Sequence, residues 1–294
     1  MKKKNGMGVR SLYRIFVYVV LLALAISIIV PVGWVFIASI KENSEFYGSP
    51  WTVPKGFYIQ NFIDAFEKAN MGQYFMNSVL VTALALILLL VIALPASYVL
   101  ARYRFIGSKI INVLFMAGLF INVNYIVVPI FLMFIDADTF LRKLGMTDGF
   151  FLNNIFILAL VYASTALPFT IYLLSGFFIT IPRDYEEAAH VDGAGYFRTM
   201  IQIMMPMALP SIVTVILFNF LSFWNEYIIA MTLITKDSKT LPVGLMNLTQ
   251  AQRGAANYGQ LYAGLVIVML PTLILYILVQ KKLTQGMSLG GLKG

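Results

Sequence analysis

The chain has 294 residues, of which 60% are hydrophobic and 12% charged, with a formal net charge of +8 and no cysteine. Soluble domains carry roughly 45–50% apolar and about 25% charged residues. This composition therefore excludes a water-soluble domain and, despite the positive charge, nucleic-acid binding as the main role. Without cysteine there is no disulfide framework and no thiolate metal or redox site. The composition indicates an integral membrane protein.

Six apolar stretches follow one another, and each is long enough for a membrane-spanning helix of about 20 residues. They cover about 15–40, 77–100, 110–134, 154–181, 210–234 and 261–279. The first run is near twice the length of a signal-peptide core, and no convincing cleavage site follows it, so we expect an uncleaved span. The prediction is an all-α membrane protein with six transmembrane helices. A single transmembrane domain occupies 1–294, and its C-terminal tail covers 280–294.

Lys and Arg are unequally divided between the two sides that six spans define. The terminal segments and the second and fourth connections hold thirteen of them, against eight in the remaining loops. Basic residues gather in the loops that stay in the cytoplasm, so both termini are predicted to lie inside. The outer side then includes the polar stretch 41–72, an acidic loop with Asp136, Asp138 and Asp148, and the loop 235–257.

The interval 182–206, after the fourth span, is rich in helix signals. Pro182 suits a first helical turn, and the acids that follow it favour the positive end of a helix. Gly193 is suited to ending that helix, and a second amphipathic stretch runs from Tyr196 to Pro206. We predict two short helices joined at Gly193. The small residues Ala188, Ala189 and Ala194 leave a surface flat enough to enter a cleft of another protein.

The order Glu187-Ala188-Ala189, Gly193, Ile203, Met205-Pro206 resembles the EAA loop of bacterial ABC-importer permeases. Met205 stands where that pattern usually has Leu, which is a volume-conserving change. Further landmarks of these permeases are Asn77-Ser78, Leu167-Pro168-Phe169, Trp224-Asn225-Glu226 and the Gly-rich ending 286–294. Together they resemble the smaller of the two paired permeases of the maltose-type carbohydrate uptake family.

The resemblance implies a multi-pass subunit of a sugar or oligosaccharide importer, embedded in the lipid of the bacterial cytoplasmic membrane. In that family the loop forms a coupling helix in a groove of an ATPase dimer at the cytoplasmic face, with the acid that matches Glu187 meeting a basic residue. The coupling residues carried over are Glu186, Glu187, Ala188, Ala189, Asp192, Gly193, Ile203 and Pro206. A second homologous permease and an extracytoplasmic solute-binding protein are the other implied partners.

No P-loop sequence occurs in this chain. We therefore expect ATP and Mg²⁺ to be bound by the partner ATPase, no cofactor to be bound by this chain, and no catalytic residue in it. The single histidine, His190, is expected to be a contact residue of the loop, because one His without Cys does not make a zinc site.

Polar residues within the predicted spans mark a candidate solute pathway, since such residues tend to face a cavity or a neighbouring helix. Glu226 is the one ionisable residue well inside a span. Asn219, Ser222 and Asn225 share its helical face, and Trp224 lies beside it. Interhelical hydrogen bonding explains this cluster as well, and Trp224 also suits an interfacial anchor. A weaker group comprises Asn122, Asn124 and Tyr125, with Tyr162 and Thr165.

Two alternatives remain at this point. One is an ABC permease for a non-sugar solute, which shares the loop. The other is an ion-driven secondary transporter, a class that usually shows internal repeats and several intramembrane charges. The single intramembrane acid and the lack of a convincing repeat disfavour the second alternative.

Overall fold

The structure is a computed structural model that describes residues 5–47, 49, 51–146, 149–235, 238–251 and 257–291. Within these ranges all regular secondary structure is helical. The α-helices are α1 (Asn5–Ser39), α2 (Gln60–Glu67), α3 (Met71–Arg102), α4 (Ser108–Gly118), α5 (Val123–Lys143), α6 (Ile155–Thr180), α7 (Asp184–Val191), α8 (Tyr196–Thr199), α9 (Met205–Met207), α10 (Leu209–Trp224), α11 (Ile228–Leu233), α12 (Leu241–Ala251) and α13 (Tyr258–Gly291). A 3₁₀ turn covers Asn43–Phe46, and a π-helical turn covers Met200–Met204.

Five helices in the described ranges are long and apolar enough to cross a membrane, namely α1 from Ser11, α3, α5, α6 and α13 as far as Gln280. The segments Tyr196–Met207 and Leu209–Trp224 meet at a bend of 74° and provide a sixth span if they are counted together. The predicted all-α membrane fold is confirmed, with five spans in the described ranges, or six if the bent pair is counted as one. Each of the five long helices contains a proline, which membrane helices tolerate because neighbouring groups satisfy the freed carbonyl.

The chain divides into two compact units. The first comprises 1–70 and 247–267, and the second 71–246 and 268–294. In the first unit, the fully buried Lys41 places its ammonium 4.8 Å from the Trp34 ring centroid and 5.5 Å from that of Phe46. Asn61 of α2 donates from Nδ2 to the carbonyls of Ser39 and Lys41. Helix α2, which lies in the interval predicted from sequence as a polar stretch, is therefore anchored to the end of α1.

In the second unit, α3 and α6 form the centre of the core. Their apolar faces bury Leu89 and Ala93 on one helix and Leu158 and Leu174 on the other, each with no exposed surface. Ser175 of α6 donates to the Ser97 carbonyl at 3.2 Å, which adds a polar tie between the two helices. The pair supports the segment 182–206 at one end.

The third predicted span, 110–134, is not one helix. Helix α4 ends at Gly118, and α5 begins at Val123 after a short break. The Asn122 side chain caps α5 by accepting from the Asn124 N–H at 3.0 Å. Asparagine is a strong N-cap residue, so the residue assigned to a span interior is in fact a helix start.

The prediction of an acidic loop after this span is also wrong for two of its three acidic residues. Asp136 and Asp138 lie within α5, which continues to Lys143. Asp138 is buried, and its carboxylate accepts from the N–H groups of Phe150, Phe151 and Leu152 at 2.6, 2.8 and 3.0 Å. Its charge therefore stabilises the turn that leads into α6. Asp148 lies outside the described residues.

Three further boundaries differ from the sequence prediction. The span 210–234 breaks after Trp224 and resumes as α11, and the outer loop 235–257 contains α12. Helix α13 continues through Gly291, so the tail predicted to begin at 280 is helical as far as it is described. Lys2–Lys4, Lys293 and part of the loop 235–257 lie outside the described residues.

Candidate functional site

The segment 182–206 forms the two short helices that its sequence predicts. Helix α7 begins at Asp184 and ends before Gly193, whose φ of +77° suits a residue without a side chain. The second part begins at Tyr196 with α8 and continues through the π-helical turn to Met207. Because α7 and α8 meet at a glycine turn, α7 is a separate element on the end of the bundle.

Glu186 fastens α7 to the end of α3. Tyr98 donates its hydroxyl hydrogen to Glu186 Oε1 at 2.7 Å, and Arg102 Nε lies 3.2 Å from Glu186 Oε2. Arg102 also donates from Nη2 to the carbonyl of Ile181 at 2.8 Å. The side chains of Arg102 and Tyr98 are both largely buried. Their contacts with Glu186, here called the Tyr98–Glu186 tether, are therefore shielded from solvent. Glu186 thus binds within its own chain.

The remaining residues of the predicted coupling segment divide between two faces. Ala189 is 4% exposed and packs inward, and Ile203 is partly buried. The remaining residues are exposed, namely Glu187, Ala188, Asp192, Gly193 and Pro206. The outward group contains the Glu187-Ala188 pair of the sequence pattern. The structure therefore separates an internal anchor, Glu186, from an exposed acid, Glu187.

His190 is exposed, and its Nδ1 lies 3.0 Å from the Glu186 carbonyl oxygen of the preceding turn. It lines a cavity of about 370 Å³ with Arg102, Tyr103, Arg183, Glu186 and Glu187. Across the described residues, no group of three or more His, Asp or Glu side chains has the arrangement of a metal site.

A second cavity, of about 450 Å³, lies among α5, α6, α10 and α11. Its wall combines aromatic rings with amide, hydroxyl and carboxylate groups. The lining residues are Val123, Asn124, Tyr162, Thr165, Ala166, Phe169, Phe218, Asn219, Ser222, Phe223, Glu226 and Ile229. Pockets of this size that hold small ligands are mostly apolar with a few convergent polar groups, which is the composition of this wall.

Glu226 lies where the chain breaks between α10 and α11. Its Oε2 accepts from the Tyr162 hydroxyl at 2.7 Å and from the Ala230 N–H at 3.0 Å, and its Oε1 accepts from the Ile229 N–H at 2.8 Å. The carboxylate therefore caps α11, links it to α6 and forms part of the cavity wall. Asn219, only 3% exposed, donates to Thr170 Oγ1 at 3.0 Å and adds a second link to α6.

Only part of the predicted pathway cluster meets at this cavity. Asn219, Ser222, Glu226 and Asn124 line it, together with Tyr162 and Thr165. Trp224 does not, because its ring is 2% exposed and its Nε1 donates to the Val268 carbonyl at 3.1 Å. This burial also rules out the interfacial-anchor alternative for Trp224. Asn225, Asn122 and Tyr125 are exposed and lie outside the lining.

The phenylalanine rings of the wall were not predicted from the sequence. Phe169 and Phe218 meet edge to face with ring centroids 6.1 Å apart, and Phe223 stacks on Tyr162 with centroids 5.5 Å apart. The Phe residues are indistinguishable from lipid-facing apolar residues in a run of hydrophobic sequence. Helical spacing offered one signal, since Phe218 and Ser222 lie four residues apart.

Comparison with known proteins identifies the class. Residues 93–289 match the family described as binding-protein-dependent transport system inner membrane component. The chain belongs to this family, and it is a multi-pass transport subunit of the cytoplasmic membrane. The resemblance noted in the sequence is thereby confirmed.

Individual relatives match over most of their length. The diacetylchitobiose uptake system permease protein NgcG of Streptomyces coelicolor is 35% identical over 274 residues, which cover 93% of this chain and 87% of that protein. The probable ABC transporter permease protein YurM of Bacillus subtilis is 32% identical. The match covers 100% of this chain and 91% of that protein. A solved bacterial ABC transporter that imports the acidic polysaccharide alginate shares the fold. The superposition has a TM-score of 0.74 at 23% sequence identity. It covers 92% of this chain and 96% of the matched chain.

Proposed function

We propose that this protein is a permease subunit of an ATP-binding-cassette importer that carries a sugar or oligosaccharide into the cytoplasm. The observation that carries the proposal is the combination of an outward-facing Glu187-Ala188 surface on α7 with family membership across 93–289. Its relatives include permeases named for diacetylchitobiose, galactooligosaccharides and trehalose/maltose, all of which are carbohydrates.

The coupling step follows from the two faces of α7. The exposed face, with Glu187, enters a groove of an ATPase dimer that binds ATP and Mg²⁺. The inner face holds Glu186 against Tyr98 and Arg102, so a displacement of α7 is passed directly to α3. Since α3 and α6 share the core, the motion reaches the helices that surround the 450 Å³ cavity. Both termini lie in the cytoplasm in this arrangement.

The cavity suits a carbohydrate chemically. Aromatic faces cover the C–H side of a sugar ring, and amide and carboxylate oxygens accept its hydroxyl hydrogens. Phe169, Phe218 and Tyr162 provide the rings, and Asn219 and Glu226 provide polar groups. A second homologous permease completes the pathway, and an extracytoplasmic solute-binding protein delivers the sugar. A solved relative by fold was captured with an alginate pentasaccharide-bound periplasmic protein.

The proposal is tested by affinity purification of the tagged protein from its native membrane in mild detergent. We expect a P-loop ATPase and a second permease to copurify in fixed ratio. Glu187→Ala is expected to deplete the ATPase while leaving the second permease bound. Asp184→Ala is the matched control, because it removes an exposed acid from the first turn of the same helix.

The solute is then identified by ATPase stimulation in proteoliposomes that contain the copurified complex and its binding protein. Diacetylchitobiose, trehalose, raffinose and an amino acid mixture form the panel. Stimulation by a sugar supports the proposal, and stimulation by amino acids alone would replace it with a non-sugar permease. A protein that purifies alone and moves solute without ATP would instead be an ion-driven carrier.

A further inference from the structure

A third cavity, of about 840 Å³, lies where α3 ends and α4 begins, at the end of the second unit that carries α7. We call it the α3–α4 cavity. Its lining includes four cationic side chains, Arg102, Arg104, Lys109 and Arg183, and no Asp or Glu. The polar side chains of Ser108 and Asn112 and the apolar side chains of Phe105 and Ile110 complete much of the wall. Arg102 also holds Glu186 in the coupling step, whereas Arg104, Lys109 and Arg183 have no part in that step or in the solute pathway.

Three of these cations are not neutralised within the described chain. Arg102 is held by Glu186 and by two backbone carbonyls. Arg104, Lys109 and Arg183 have no carboxylate within ion-pair distance among the described residues. Like charges gathered around one space repel each other, and this repulsion is strengthened where the surrounding medium has a low dielectric constant. An anion that entered the cavity would offset this repulsion.

The backbone and the apolar wall specify the anion further. Helix α4 has 11 residues and begins beside the cavity without a side-chain cap, with Gly107 at a φ of +93° before it. Its first turn therefore adds N–H groups and a positive dipole end to the cationic side chains. On the adjoining surface, Ile106 is 103% exposed and Ile110 68%, which is expected of residues that contact acyl chains. A cationic recess next to a lipid-facing apolar helix fits an amphipathic anion.

We propose that the α3–α4 cavity binds the phosphate headgroup of an anionic phospholipid, with Arg104, Lys109 and Arg183 around the phosphate and Ile110 along an acyl chain. Basic pockets between membrane helices are known to take such headgroups. The site follows from membrane insertion alone and does not depend on which solute is carried. Bound lipid joins α3 to α4 beside the Tyr98–Glu186 tether, so it stabilises the end of the bundle on which α7 rests.

The test uses the copurified complex in nanodiscs of phosphatidylcholine with or without phosphatidylglycerol. Native mass spectrometry after partial delipidation counts the retained phosphatidylglycerol. Since each basic residue near a membrane surface contributes about fivefold in affinity, we expect about fivefold lower retention for Arg104→Gln or Lys109→Gln and roughly 25-fold for the pair. Arg104→Lys keeps the charge and is expected to keep most of the retention.

Arg198→Gln is the matched control, since it removes an exposed positive charge from α8 outside the cavity. Equal losses in Arg198→Gln and Arg104→Gln would overturn the proposal, because they would show only a general surface-charge effect. Displacement of the lipid by inorganic phosphate or glycerophosphate at equal concentration would also overturn it, in favour of a soluble phosphate site. Loss of the ATPase from the paired variant with lipid retention unchanged would assign the cavity to subunit contact instead.

A second measurement does not depend on variants. Photoreactive phosphatidylglycerol in nanodiscs is expected to label peptides that contain residues 100–112, and photoreactive phosphatidylcholine is expected to label them several-fold less. Equal labelling by the two lipids would overturn the specificity for the anionic headgroup.

Discussion

Tyr98 of α3 and Glu186 of α7, 88 positions apart in the sequence, are joined by a 2.7 Å hydrogen bond from the phenol to the carboxylate. The Tyr98 ring is fixed from three sides by Phe178, Tyr103 and Tyr196, with centroids 5.6, 5.8 and 6.0 Å away. The donor therefore has little freedom to leave its acceptor. These contacts fix α7 to the end of α3.

Tyr98→Phe removes the hydroxyl and keeps the ring, so we expect α7 to loosen without loss of the fold. A hydrogen bond to a charged group contributes about 1.5–3 kcal/mol, and backbone amides in α7 are expected to exchange with deuterium at least tenfold faster. Solute uptake per ATP hydrolysed is expected to fall several-fold while the ATPase stays bound. Tyr185→Phe, at an exposed position of the same helix, is expected to change neither quantity. Unchanged exchange in Tyr98→Phe would show that the tether does not hold α7.

Asp138→Asn tests the anchor of the turn before α6. The carboxylate accepts hydrogen bonds from three backbone N–H groups. In the asparagine variant, one of the two oxygen acceptors is replaced by an NH₂ group, which is itself a donor and cannot accept from them. We expect a loss of about 2–4 kcal/mol and a thermal midpoint in detergent that is lower by roughly 5–10 °C. Asp136→Asn, at an exposed position two residues earlier, provides the charge-matched control and is expected to shift the midpoint by less than about 2 °C. Similar shifts for both variants would contradict the anchoring role.

The sequence was sufficient for the all-α membrane fold and for α7, because both depend on local signals. Long apolar runs define spans by length alone, and Pro182 and Gly193 delimit a helix by backbone geometry. The breaks within spans escaped prediction for a physical reason. Asn122 and Glu226 each lie in an apolar run, and the side chain of each caps a helix. The sequence alone does not show which backbone N–H groups need such an acceptor.

The candidate site was predicted only in part. Whether a side chain points into the cavity or into the core depends on the helices packed against it, and these are distant in the sequence. Trp224 and Glu226 are two residues apart, yet one is buried against the Val268 carbonyl and the other lines the cavity. Glu186 and Glu187 are adjacent, and only the first meets Tyr98 and Arg102. An acid in a helix has no sequence signal for an internal partner that lies more than 80 positions away.

Gly118→Ala tests the close approach of α4 to α6. A Cβ at Gly118 would lie 2.8 Å from Cγ of Pro168, and the proline ring does not rotate away. We expect overpacking of about 1–3 kcal/mol, measured as a lower thermal midpoint. Gly176→Ala is the matched control, since nothing lies within 4 Å of its Cβ position in α6, and it is expected to be neutral or slightly stabilising because alanine favours a helix. An unchanged midpoint in Gly118→Ala would mean that the two helices separate at little cost.

Glu226→Gln and Tyr162→Phe, made singly and together, test whether the carboxylate and phenol act as a unit in the cavity wall. Glu226→Gln is expected to be the more damaging change, because the N–H groups of Ile229 and Ala230 share the same carboxylate. The double variant is expected to lose about 1–2 kcal/mol less than the sum of the single losses, since both remove one hydrogen bond. Asn225→Gln, exposed and outside the cavity, is the control. If the cavity lies on the solute path, Tyr162→Phe lowers uptake at a temperature where the complex is fully folded. Full uptake in that variant, with additive losses of stability, would assign Glu226 to capping α11 alone.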